Sequence, residues 1–336
     1  MPDQFKPYAD RFTAPSGPGD SRPTALQIVE DNDLIDKWAG KVALVTGGTS
    51  GIGVETVRAL HATGADVFFT ARDTEKGAAV RQDIAARSNG TGRLEVIELN
   101  LDSLQSVKKA AKAFLSQSSK LNILVNNAGI MATPYSRTED GFERQFAVNH
   151  LAHYLLTTLL LPTLESSSSP QQNSRVVFVS SSGHQFSSII WDDYNFKTRG
   201  AYDPFKAYGQ SKTANIWTAN YIDRTFGPRG VHALSLHPGV IWTGLQSHTD
   251  PNMVEQWKSD PKFMNAALTT EQGAATSVWA AVGKIWEGKG GKYLFDCGVG
   301  GPTKSPPGVD SGFATFAYNP EGEDRLWELS AKLVDA

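Results

Sequence analysis

Tyr208 and Lys212 stand four residues apart in the run AYGQSK, a spacing that sets a phenol and an ammonium on one face of a helix. Such a pair can exchange a proton with an alcohol or ketone oxygen, provided a bound cofactor carries the hydride. Upstream, TGGTSGIG at Thr46 to Gly53 follows an apolar run and precedes a helical pattern. In a strand, turn and helix of this kind Gly47 permits the sharp turn, Gly51 lets the backbone approach a pyrophosphate, and Gly53 lets the helix pack closely on the strand. Thr49, Ser50 and Ile52 complete the expected phosphate contacts, because the amides at the helix start face an anion with the positive end of the dipole behind them.

The second strand bears on which dinucleotide binds. A carboxylate at its end would hold the ribose 2′-OH of NAD, whereas an arginine accommodates a 2′-phosphate. ADVFFT runs instead into Ala71 and Arg72, and Asp73 reads as the N-cap of the next helix. Arg72 can grip a phosphate bidentately, so NADP(H) is the expected cofactor.

These residues need a scaffold. KVALVT, ADVFFT, LEVIEL, NILVNN, RVVFVS, VHALSL and GKYLF read as strands, and helical patterns lie near Ile52–Ala62, Thr74–Arg87, Leu104–Ser116, Gly141–Leu164, Phe205–Phe226 and Glu271–Glu287. Alternation of this kind implies an α/β fold, a single doubly wound Rossmann-type domain with a mostly parallel seven-stranded sheet and helices on both faces. Residues 1–38 read as an arm with a short helix, 39–300 as the NADP-binding catalytic domain, and 301–336 as a tail and helix packed on it. The length of 336 residues and the 40% hydrophobic content are enough for a large core. A formal charge of −3 offers no basic face for a nucleic acid. Cys297 is the one cysteine, which excludes an internal disulfide and a cysteine cage for a metal, and the histidines have no metal-ligand spacing, so no metal site is expected. With neither a membrane-spanning apolar run nor a secretory signal, the expectation is a cytoplasmic protein without a membrane anchor.

TGGTSGIG, NNAG at Asn126 to Gly129, and YxxxK at Tyr208 to Lys212 together resemble the short-chain dehydrogenase/reductase family over about Lys41 to Cys297. FVSSSGH, SKTAN, HPG and KYLFDC further resemble its retinol dehydrogenase, WW-domain oxidoreductase and protochlorophyllide reductase branch. The resemblance implies four catalytic residues. Tyr208 would donate the proton, Lys212 would bind the nicotinamide ribose and lower the tyrosine pKa, Ser181 would hold the carbonyl oxygen, and Asn149 would hold a water that links the lysine to solvent. Ser180 to Ser182 are consecutive, and the position three before His184 favours Ser181. Further cofactor contacts are implied at Asn127, Ala128 and Gly129, at Pro238, Gly239, Val240, Ile241 and Thr243, and at Asn100 and Leu101, where Asn100 replaces an aspartate that reaches the adenine.

The insert between Ser181 and Tyr208 is rich in aromatics, and a second stretch after HPGVIWTGL carries Trp257, Phe263 and Met264. Aromatic walls with few polar anchors suit a lipophilic or polycyclic ketone or aldehyde, with Ser181, His184, Phe186, Tyr202 and Trp242 against it. Alternatively, these aromatics staple a long loop to the core. The functional expectation is a soluble carbonyl reductase of secondary metabolism, acting as a monomer or homodimer. Its rivals are an enone reductase, a redox-neutral enzyme on the same fold, and a non-catalytic NADP-sensing regulator. Unlike retinol dehydrogenases of that branch the chain is expected to carry no N-terminal anchor, and its arm and tail would cover the pocket or meet another subunit.

Overall fold

The computed structural model describes residues 3–88, 90–306 and 310–335; residues 307–309 of the expected tail lie outside the described residues. Among the described residues ten strands are formed: β1 Val42–Val45, β2 Asp66–Ala71, β3 Leu94–Glu98, β4 Ile123–Asn126, β5 Ser174–Val179, β6 Val231–Leu236, β7 Val240–Ile241, β8 Ala267–Leu268, β9 Lys292–Phe295 and β10 Gly298–Val299. Eight of them make one sheet in the order β3-β2-β1-β4-β5-β6-β9-β10, and β7 pairs with β8 in a small separate ladder. The seven expected strands all run parallel to one another. The eighth, β10, folds back antiparallel on β9, which corrects the strand count. Its turn is Asp296–Cys297, both at positive φ (52° and 50°). A two-residue hairpin loop needs that conformation, and asparagine or glycine usually signals it; an Asp-Cys pair does not.

The central strands are buried on both sides because helices cover both faces. The described residues form twelve α-helices: α1 Ala25–Asp31, α2 Ile52–Ala62, α3 Thr74–Arg87, α4 Leu104–Gln117, α5 Arg144–Phe146, α6 Ala152–Ser167, α7 Pro204–Phe226, α8 Pro251–Ser259, α9 Pro261–Ala266, α10 Thr270–Gly273, α11 Ala275–Val282 and α12 Pro320–Val334. Strand alternation divides the core. Val42, Leu44, Phe68, Leu124 and Phe178 pack with Phe114 of α4, Leu155 of α6 and Ile216 of α7. Val45, Phe69, Val125 and Val177 pack instead with Leu60 of α2, Trp279 of α11 and Ile28 of α1. Phe68 and Phe69 are both fully buried, on opposite faces, and burial of each side chain stabilises the fold by about 1.5–3 kcal/mol.

Two helical expectations are revised. The helix expected over 141–164 starts at Arg144, where the buried carboxylate of Glu143 accepts the amides of Gln145 and Phe146 (2.9 and 2.7 Å). It then passes through a π-turn, Ala147–Leu151, before α6. The helix expected over 271–287 breaks into α10, α11 and a short 3-10 turn, Lys284–Trp286. Helix α12 covers part of α7 and of the π-turn, with Trp327 stacked on Tyr221 at 4.2 Å and Ser330 Oγ 2.8 Å from His150 Nε2. The arm is equally tied down. Tyr8, Val29 and Trp38 join the core, and Arg22 is buried against the end of α9. No described helix is long and apolar enough to cross a membrane.

Candidate active site

Strand order reverses at β1, which has β2 on one side and β4 on the other, so the loops leaving their C-terminal ends diverge and open a crevice. A cavity of about 600 Å³ lies there. Its floor is the turn after β1. Gly47 and Gly51 have φ of +69° and +57°, a region that suits glycine. A Cβ on Gly53 would begin 2.1 Å from the Gly47 carbonyl oxygen, so α2 can approach β1 only without a side chain there. Helix α2 starts without a side-chain cap, and the amides of Gly47 and Gly48 are taken by Thr70 (3.1 Å to its hydroxyl, 3.2 Å to its carbonyl). The remaining amides of the turn, at Ser50 to Gly53, border the cavity and stand at the positive end of the helix dipole. A cradle of bare backbone with an uncapped helix start fits a dinucleotide pyrophosphate.

Thr46 fastens this turn to the NNAG segment. Its buried hydroxyl accepts the amides of Asn127 and Ala128 (2.9 and 3.0 Å) and lies 2.9 Å from His153 Nε2. Burial, and to a smaller degree the charge of Lys212, holds the His153 pKa down near about 4, so the ring is neutral. Thr46 therefore gives its own proton to Nε2, and the ring proton sits on Nδ1, which donates to the Asn149 carbonyl (3.0 Å). Asn149 stands on the π-turn, a helical distortion that often marks functional sites. Its side chain clasps Ile130, accepting the amide and donating to the carbonyl (both 2.9 Å), and also donates to Ser211 Oγ (2.9 Å). Both amide hydrogens are thus used, which leaves only the second lone pair of Oδ1 for the expected water.

Three side chains meet at the far end of the cavity. Tyr208, only 4% exposed, is hydrogen-bonded to Ser181. Ser181 Oγ also accepts the Gly183 amide (3.0 Å), whereas Ser180 Oγ turns away to donate to the Lys212 carbonyl (2.8 Å). Lys212 Nζ donates to the Val179 carbonyl (2.9 Å) and lies 5.6 Å from the Tyr208 ring centre. The phenol is buried in this arrangement. Burial pushes its pKa up to about 12 against the opposing pull of Ser181. Burial also pulls Lys212 down to about 7. A charge is costly in such a dry site, and the lysine is subject to the same penalty as the tyrosine.

The other expected contacts divide in two. Asn127, Ala128, Gly129, Pro238, Gly239, Val240, Ile241 and Thr243 line the cavity, as do Phe186 and Trp242. Thr49, Arg72, Asn100, Leu101 and Asn149 do not; Arg72 is exposed just beyond β2, and Asp73 caps α3 (3.0 Å to the Lys76 amide). Asp102, two residues after Asn100, is committed to Arg144 through two contacts of 2.8 Å. Two substrate expectations need correction. Tyr202 lies outside the cavity because its hydroxyl donates to the Thr133 carbonyl (2.7 Å) and accepts from Gln145 (3.0 Å). His184 is fully buried behind Ser181, with both ring nitrogens engaged.

The aromatic insert serves mainly as a staple. Trp191 stacks on Trp217 at 5.9 Å beneath the Arg325 guanidinium at 4.0 Å, and Tyr194 packs on Phe146 at 5.8 Å. Only Phe186 and Phe205, 6.0 Å apart, reach the cavity from this stretch. The opposite wall comes from Trp242, Trp257 and Phe263, the last two stacked at 5.7 Å. Ile130 and Met131 also line it and were missed, although they directly follow NNAG and a loop leaving β4 must pass the crevice.

A family model described as short chain dehydrogenase matches residues 41–195. Over 98% of its length the chain is 50% identical to short-chain dehydrogenase/reductase prx1 of Penicillium roqueforti, of which it covers 95%. It is 36% identical to retinol dehydrogenase 12 of Mus musculus, over 88% of this chain and 86% of that protein. The solved structure of an uncharacterised protein from Mycobacterium paratuberculosis resembles it with a TM-score of 0.68 at 33% identity, over 94% of this chain and 98% of that one.

Proposed function

The chain belongs to the short-chain dehydrogenase/reductase family, and on that premise we propose that it is an NADPH-dependent reductase of a ketone or aldehyde on a lipophilic or polycyclic small molecule. The observation that carries this reading is the meeting of Tyr208, Ser181 and Lys212 at the end of a cavity whose other end is a glycine cradle. When bound, the nicotinamide supplies or accepts the hydride. Gly47, Ser50 to Gly53 and Asn127 to Gly129 hold its phosphates and ribose, Val240, Ile241 and Thr243 lie along the nicotinamide end, and Arg72, exposed and close to the end of β2, takes a 2′-phosphate.

The chain's own part is to handle the carbonyl oxygen. Ser181 and Tyr208 both present hydroxyls to it, and a phenol held near pKa 12 is fully protonated at neutral pH. The oxygen becomes a stronger base than the phenolate as it turns into an alkoxide, so the proton passes from Tyr208 to it. Lys212 stabilises the phenolate left behind, the more so as it titrates near 7 and can share its proton. A Cβ on Gly129 would begin 3.3 Å from both Asn149 Oδ1 and Lys212 Nζ. The bare glycine leaves room there for a water between the two, through which the phenol regains its proton. Aromatic walls on both sides favour an apolar, ring-bearing substrate. A cytoplasmic enzyme of secondary metabolism is consistent with this reading and with a fungal relative at 50% identity.

The test is NADPH absorbance over a panel of aryl ketones, aldehydes and enones. Turnover of carbonyls with retention of their double bonds is expected. Turnover of enones alone would move the reading to double-bond reduction. Tight NADPH binding with no turnover across the panel would favour the regulator.

A further inference from the structure

Behind the catalytic serine lies a contact that the proposed chemistry does not use. The His184 ring is buried, 5.0 Å from the Tyr293 ring. The Ala314 amide donates to its Nε2 at 3.0 Å, and its Nδ1 lies 2.6 Å from the Ser181 carbonyl oxygen. An amide can only donate and a carbonyl can only accept, so the ring is neutral with its proton on Nδ1. Burial, opposed by the Ser181 carbonyl, holds its pKa down near about 4, in keeping with that tautomer. The ring thus forms a rigid strut between the backbone of the C-terminal tail and that of Ser181, which are 133 positions apart in sequence.

Neighbouring bonds point the same way. Gln185 Nε2 donates to the carbonyls of Asp310 and Gly312 (2.9 and 2.6 Å). Thr213, next to Lys212 on α7, donates to the carbonyls of His184 and Ser187 (3.2 and 2.8 Å). The Ser182 amide donates to His237 Nδ1 (3.2 Å). The turn that aims Ser181 is therefore held by α7 on one side and by the tail on the other. Beyond the tyrosine and lysine, it is through His184 that the tail touches the catalytic serine's own backbone.

We propose that His184 is a positioning residue through which the tail segment 310–314 sets Ser181 for proton transfer, so that the tail is part of the active site's support. This rests on the reading of Ser181 as the residue that holds the carbonyl oxygen.

Three replacements separate positioning from simple filling of the core. His184→Asn retains a donor for the Ser181 carbonyl, His184→Gln retains an acceptor for the Ala314 amide, and His184→Phe fills the space with neither. With NADPH and phenanthrenequinone as the carbonyl probe, His184→Phe and His184→Gln should lose about 10- to 30-fold in kcat, the worth of one buried hydrogen bond realised at the transition state. His184→Asn, which keeps the Ser181 bond but loses the Ala314 bond, should recover only part of it, and full recovery would remove the tail from the proposal. NADPH affinity should stay within about twofold in all three, since the strut touches no cofactor contact. If kcat instead follows the urea midpoint of each variant, or if Asn is no better than Phe, the proposal is wrong. Hydrogen exchange, which needs no substrate, gives a second reading: the amides of Ser182 and Gly183 should exchange faster in His184→Phe and His184→Gln than in His184→Asn, and equal protection would overturn the proposal. Ser181→Ala tests the underlying premise separately, because retained turnover there would remove the role of Ser181 whatever His184 does.

Discussion

Thr46→Val isolates the joint between the cofactor turn and the catalytic elements. Valine matches threonine in shape, so the change opens no cavity and removes only a hydroxyl. In this structure that hydroxyl is completely buried and accepts two amides, from Asn127 and Ala128, while its own proton serves His153 Nε2. Each buried amide left without a partner costs about 1–3 kcal/mol, and the stranded ring nitrogen adds to that. The expected loss is about 3–6 kcal/mol, a large part of the 5–15 kcal/mol by which a typical domain is stable. Thr46→Ser keeps the hydroxyl and removes one methyl, for which about 1 kcal/mol is expected. Urea unfolding at neutral pH, followed by tryptophan fluorescence with the slope checked for constancy, measures both. NADPH affinity should fall with the valine variant, because the released amides belong to the segment that lines the cavity. A valine variant within about 1 kcal/mol of wild type, or a serine variant equally damaged, would refute the assignment of Thr46 as a shared acceptor.

Other outcomes follow from the same geometry. Tyr208→Phe should lower kcat by about 10²–10⁴, the usual worth of a general acid, while NADPH titration shows binding nearly unchanged; comparable turnover would remove Tyr208 as the acid. Arg72→Ala should weaken NADPH by about 10- to 100-fold, one charge-assisted contact of about 1.5–3 kcal/mol, and leave NADH alone; equal losses for the two cofactors would overturn the NADP reading. Stability should fall in mild acid. His150 and His237 are held near about 3, and His153 and His184 near about 4, in each case chiefly by burial. The unfolded chain takes up these protons around pH 6.5, so stability is fully present above that value and is lost as pH falls toward the folded values. Four such groups should give a slope steeper than one proton's worth, about 1.4 kcal/mol per pH unit, and a urea midpoint that is flat between pH 8 and 5 would contradict their burial.

The parts of the fold that were legible are those in which one residue type has one use. Glycines after an apolar run announce a turn against a strand, and Gly53, whose Cβ would strike the Gly47 carbonyl, shows why no other residue serves. Asp73 before a helical pattern is a cap, and the carboxylate does accept the Lys76 amide. Aromatics were not legible in this way. Trp191 and Phe186 stand in the same insert with the same propensities, yet one stacks on Trp217 and the other faces the cavity. Which of the two a ring does depends on the tail, since Arg325 from α12 covers Trp191, and nothing local encodes a contact that spans 134 positions. The π-turn at Asn149 and the Asp296–Cys297 hairpin escaped for another reason: tertiary packing imposes both on residues with no preference for them.

The two ends of the chain explain where selectivity can arise on a fold shared so widely. The Arg22 guanidinium donates to the carbonyls of Asn265, Ala266 and Ala267 (3.2, 2.8 and 2.6 Å), where α9 ends and β8 begins. Helices α8 and α9 bury no residue of their own, yet they carry Trp257 and Phe263 into the cavity wall. Their placement therefore depends on the arm at one end and on β8 pairing with β7 at the other, and β7 is Val240–Ile241, beside the expected nicotinamide end. A buried arginine with four backbone carbonyl partners, the Gly17 carbonyl among them (3.0 Å), and the Asp20 carboxylate (2.8 Å) is satisfied only in this arrangement. Loss of a carbonyl would strand a buried guanidinium N–H, and loss of Asp20 would leave the charge uncompensated, so the arm, the aromatic wall and β7 hold one another in place. The arm, though no part of it lines the cavity, thus holds the aromatic wall of Trp257 and Phe263 in place through Arg22 and the end of α9.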